Sequence, residues 1–127
     1  MGYGQVNVGS SKTEQVISLI NFDLPSNTNS VKSSNSIRVN TTNTIHYNLF
    51  AHSFGTSFPC SITLQGSNDN NTWTDINNIS SSGNTPVTLN SSTSGYSYYR
   101  LTSICKGDTY SNRTQCFGCL STSEIIN

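Results

Sequence analysis

Apolar residues recur along this chain at every second position, in short runs parted by polar turns. That period places alternate side chains on opposite faces of a strand. The clearest run covers 60–66, with Cys60, Ile62 and Leu64 on one face and Ser61, Thr63 and Gln65 on the other. Over 44–51, Ile45, Tyr47 and Leu49 oppose His46, Asn48 and Phe50. In 14–24, Val16, Ile20, Phe22 and Leu24 share one parity, while Ile17 and Leu19 take the other, so both faces are expected to be covered. Pro25 ends that run. A short strand is predicted at 37–39, and another returns over 72–79 with Trp73 and Ile76. Val87 and Leu89 alternate after Pro86. Over 96–105, Tyr99 and Leu101 are expected to point inward and Tyr98 and Arg100 outward; 114–126 closes the domain. Eight or nine short strands with turns between them predict an all-β fold, a single antiparallel β-sandwich. Jelly-roll and immunoglobulin-like connectivities would both present this pattern.

Composition supports the strand reading. Ala51 is the only alanine, and Asn, Ser and Thr make up about 44% of the 127 residues. These three compete with a helical backbone through local hydrogen bonds. The length suits one domain. Residues 1–12, with glycines at 2, 4 and 9, read as an N-terminal arm, which leaves 13–127 for the sandwich. Lys plus Arg equals Asp plus Glu at six each, so the net charge is zero and no basic run exists. Nucleic-acid binding would lack its electrostatic driver. No run is long and apolar enough to span a membrane. The start lacks a charged segment followed by an apolar one, so no signal peptide is expected, and synthesis in a host cytoplasm is.

Candidate chemistry is sparse. No nucleophile elbow, phosphate loop or dinucleotide fingerprint is present, and the acids read as turn and surface residues. No enzymatic activity and no cofactor are expected. Asp69, Asn70, Asn71 and Asp75 offer oxygens for calcium, but turn chemistry accounts for them. The thiols are Cys60, Cys105, Cys116 and Cys119. Cys116-Phe117-Gly118-Cys119 has zinc-knuckle spacing; a Cys105–Cys116 bridge with a Cys60–Cys119 bridge is the disulfide alternative, and reduced core thiols are the third. Trp73 is expected to seal the core beside Tyr99, Leu101, Ile62 and Leu64, the competing reading being an exposed platform. Tyr3, Tyr98 and Arg100 are the interface candidates.

Three segments carry a family likeness: Ile62-Thr63-Leu64-Gln65-Gly66-Ser67-Asn68-Asp69, then Thr72-Trp73-Thr74-Asp75-Ile76, then Tyr98-Tyr99-Arg100-Leu101. Their order resembles the discoidin-like (coagulation factor 5/8 type C-like) β-sandwich, variants of which occur in structural proteins of tailed-phage particles. The likeness spans roughly 58–106, under half the chain. The Asn-rich composition also looks like that of proteins from crAss-like phages. The resemblance implies a non-enzymatic virion protein: a capsid decoration (auxiliary) protein whose partner is the major capsid protein. A carbohydrate-binding module reading host glycans, or a tail or fibre adaptor, is the competing expectation.

Overall fold

The alternating runs become nine antiparallel strands among the described residues. The structure is a computed structural model that describes residues 15–24, 29–53, 60–106 and 114–126, with 15–24, 29–30 and 105–106 described as backbone alone. The expected arm at 1–12 lies outside them. The strands are β1 (Gln15–Leu24), β2 (Asn29–Ser33), β3 (Ile37–Arg38), β4 (Ile45–Ser53), β5 (Cys60–Ser67), β6 (Thr74–Ser81), β7 (Val87–Thr93), β8 (Tyr98–Lys106) and β9 (Thr114–Thr122). One sheet has four strands in the order β1-β9-β4-β7. The other has five, in the order β2-β8-β5-β6, with β3 also paired to β8.

β2 and β3 meet β8 one after the other and act as one interrupted strand. Ser34 bridges the interruption: its N–H donates to the Leu101 carbonyl at 2.8 Å, and the Leu101 N–H donates to Ser34 Oγ at 2.9 Å. The pairings then nest, β1 with β9, β2 and β3 with β8, β4 with β7, and β5 with β6. This is jelly-roll order. An immunoglobulin-like sandwich divides its strands differently, so that alternative is corrected.

Both sheets contribute alternate residues to the space between them. From β4 come Ile45, Tyr47, Leu49 and Ala51; from β5, Cys60, Ile62 and Leu64; from β8, Tyr99 and Leu101; from β9, Cys116 and Leu120. Burying each leucine or isoleucine among them contributes about 1.5–3 kcal/mol, which drives the two faces together. Gly118 lies on the inward parity of β9, where an added Cβ would stand 2.6 Å from Leu101 Cδ1. Gly66 has the same role on β5, since an added Cβ would stand 2.5 Å from Cδ2 of Tyr96. At one end the interior turns polar, with Ser53, Ser81, Ser103 and Thr114 all buried. There the Ser53 N–H donates to Ser81 Oγ at 3.0 Å.

Candidate functional site

Around Trp73 the local order begins in the preceding turn. The Asp69 carboxylate accepts from the N–H of Asn71 at 2.9 Å, the N–H of Thr72 at 2.7 Å and the hydroxyl of Ser67 at 2.9 Å. Asn70 sits at φ 58, a left-handed position that Asn tolerates. The Thr72 and Asn71 amides, with the Ser67 hydroxyl, hold the Asp69 carboxyl down at about 2. A folded pKa below the unfolded value near 3.8 adds stability above about pH 4, and this is lost as pH falls toward 2. Asp69→Asn is therefore expected to flatten the acid limb of stability between pH 4 and 2, as followed by urea unfolding at each pH.

Past the turn, β6 enters the sheet through a bulge. Leu64 pairs with Asn77 and Gln65 with Asp75, so Ile76 is the extra residue. Ile76 packs against the core, and the neighbouring Asn77 amide donates to the Tyr47 hydroxyl at 3.0 Å inside the sandwich. Two consecutive inward residues shift the phase, and Asp75 and Trp73 are left on the outer face. The expectation that Trp73 seals the core is thus corrected: it is half-buried, and its ring lies 4.3 Å beneath the Arg100 guanidinium carbon.

That outer face carries a connected row. Arg100 Nε donates to Gln65 Oε1 at 2.8 Å, and Gln65 Nε2 donates to Asp75 Oδ1 at 2.8 Å. Tyr98 precedes Arg100 by two residues along β8 and shares its face, and Arg38 on β3 is the register partner of Tyr98. The other predicted core residues, Tyr99, Leu101, Ile62 and Leu64, are fully buried. Tyr98 and Arg100 are half-buried and face outward; Tyr3 lies outside the described residues. Sequence reasoning missed Gln65, Asp75 and Arg38 as companions of Arg100. Cross-strand register brings them together, and no local spacing reveals it. Asp69 and Asp75 do not share a site, because one closes the turn while the other bonds to Gln65.

The thiols divide by face. Cys60 and Cys116 point between the sheets, the Cys60 Sγ 3.9 Å from the Gln115 carbonyl and the Cys116 Sγ 3.8 Å from the Ser61 carbonyl. Cys119 is half-buried on the outer face of the four-stranded sheet. Because the strand alternates, Cys116 and Cys119 straddle the sheet and cannot converge on one zinc ion. For the same reason Cys119 cannot bridge to Cys60. Cys105 opposes Cys60 in register, and its side chain lies outside the described residues, as does any bridge from it to Cys116.

A second candidate lies on the far side of the molecule. An open trough of about 520 Å³ runs over the four-stranded sheet between His46, Asn48, Asn90, Ser92, Cys119 and Ser121. Along the same face, the rings of Phe50 and Phe117 stack with centroids 5.0 Å apart. The outward parity of Phe50 was the signal available in the sequence. A smaller depression of about 290 Å³ lies at the Asp69 turn, between Ser67, Thr72 and Tyr96.

No family model matches the chain, and no curated protein matches it. Among solved structures, one similar chain comes from work on Bacillus endospore appendages, described as a novel family of disulfide-linked pili. The two are 12% identical at a TM-score of 0.46, with 98% of this chain and 100% of that one covered. Another comes from the structure of the infectious bursal disease virus Gx strain, at 9% identity and a TM-score of 0.47. That match covers 88% of this chain and 32% of the viral one, so the present chain spans about a third of its length. At these values neither likeness bears on function.

Proposed function

We propose that this chain is a non-enzymatic structural subunit of a phage virion, a capsid decoration protein that docks on the major capsid protein. The observation that carries the reading is the edge of the five-stranded sheet. β2 is five residues long and, among the described residues, pairs on one side only, with β8. Its Val31 is 70% exposed and stands opposite Ile104, itself 43% exposed. An open edge bearing uncovered apolar side chains favours strand addition by a partner. The sandwich supplies a rigid body, and adhesion at that edge needs no reacting group.

Electron microscopy of the purified particle tests this. Density for the jelly roll seated on the shell, with β2 against a neighbouring strand, is the expected result. Density confined to a flexible external fibre, or none at all, would refute a shell role. A second reading, adhesion to host glycans, is favoured by the amide-lined trough beside Phe50 and Phe117. Glycan-array binding that is lost on changing Asn48 or Asn90, with the fold intact, would favour that reading instead.

A further inference from the structure

Arg100 is held in place by its neighbours, and its binding end is left open. Trp73 supports the guanidinium from one side at 4.3 Å, and Gln65 takes its Nε–H at 2.8 Å. Gln65 is itself fixed by Asp75 at 2.8 Å. Among the described residues, no protein group meets Nη1 or Nη2 of Arg100. Those two nitrogens form the end of the fork that pairs with a carboxylate through two parallel hydrogen bonds. An arginine already ordered in its free state loses less entropy on binding than a mobile one.

We propose that the outer face of the five-stranded sheet, centred on Arg100, docks a protein surface that presents a carboxylate to this fork. The inference rests on the reading of the chain as an assembly subunit, and it names a docking face and the chemistry of the partner. Charge argues for an acidic partner. Arg38 and Arg100 flank Tyr98 on this face, and Asp75, occupied by Gln65, offsets only one of the two cations. Shape argues for a macromolecule. Small ligands favour concave sites, and the two depressions described above lie elsewhere, over the four-stranded sheet and at the Asp69 turn. Composition agrees, because Trp, Tyr and Arg are the residue types that dominate protein–protein hot spots.

Trp73 is the chain's only tryptophan, so its emission reports on this face alone. The full chain is titrated at low ionic strength, where screening is weak, with a hexaglutamate peptide and with hexaglutamine as control. A saturable emission change with hexaglutamate only is expected. Arg100→Lys keeps the charge and loses the fork, so binding should weaken roughly tenfold or more. Asp75→Asn should tighten binding. No saturable change, or equal affinity in Arg100→Lys, would overturn the proposal. Equal affinity for free glucuronate would overturn it in favour of an acidic sugar. An emission change with rising concentration of the chain alone would assign the face to a second copy. Should Arg100→Lys unfold, the Asp75→Asn comparison decides. The titration uses the isolated chain, so its failure would remove this docking face and leave a shell role intact; microscopy of the particle decides that role independently.

Discussion

Tyr99→Ala is expected to destabilise the domain by about 3–5 kcal/mol, the range for deleting a large buried aromatic side chain. Among the described residues, Tyr99 is the largest fully buried side chain. Its ring meets Tyr96 edge to face, with centroids 6.1 Å apart, and its hydroxyl accepts the Tyr96 N–H at 3.2 Å. Whole domains are stable by about 5–15 kcal/mol, so this one change removes a large fraction of the total. Urea unfolding monitored by circular dichroism checks it. Tyr99→Phe keeps the ring and orphans only the Tyr96 amide, and should cost about 1–3 kcal/mol. A Tyr99→Ala variant with near wild-type stability would mean that the ring does not hold the sheets together. Burial also raises the Tyr99 pKa above 10.0. Stability from the neutral phenol is complete below the unfolded pKa near 10 and is lost as pH rises through the higher folded value. Tyr99→Phe should therefore blunt alkaline unfolding.

Gly118→Val on β9 should destabilise the sandwich by overpacking. Even a methyl at this position would stand 2.6 Å from Leu101 Cδ1 and 3.2 Å from Ile62 Cδ1. Overpacking costs about 1–3 kcal/mol, occasionally more, and valine adds two further carbons. The contact offers its own control. Leu101→Ala alone should cost about 2–5 kcal/mol by opening a cavity. In the double variant the new side chain occupies that cavity, so the combined loss should fall short of the sum by about 0.5–3 kcal/mol. Strict additivity, measured by denaturant unfolding of all four species, would show that Gly118 and Leu101 do not share space.

Much of the sandwich was legible in the sequence, because strand periodicity is a local property. Ile45, Tyr47 and Leu49, or Cys60, Ile62 and Leu64, alternate without interruption, and each lands inside. Trp73 failed for a physical reason. Counting back from Ile79 by twos puts it in the core, but the bulge at Ile76 resets the parity three residues short of the ring. A bulge leaves no mark in composition. The Arg100 row was legible only in its members on one strand, Tyr98 and Arg100; Gln65, Asp75 and Arg38 arrive through pairing with other strands. The opposed directions of Cys116 and Cys119 were readable from their spacing of three within a strand, and metal-knuckle spacing obscured it. Strand order was not readable, since jelly-roll and immunoglobulin-like chains share the same alternation.

The nested pairing has a consequence for synthesis. β9, at Thr114–Thr122, is an interior strand of its sheet, flanked by β1 on one side and β4 on the other. Until it emerges from the ribosome, β1 lacks the partner it has among the described residues and β4 lacks one of its two. The nascent polypeptide must therefore wait with two adhesive segments uncovered, and closure depends on the slow formation of long-range contacts. A stop codon anywhere before β9 would release a product that cannot shield its own interior, and clumping inside the producing cell would follow.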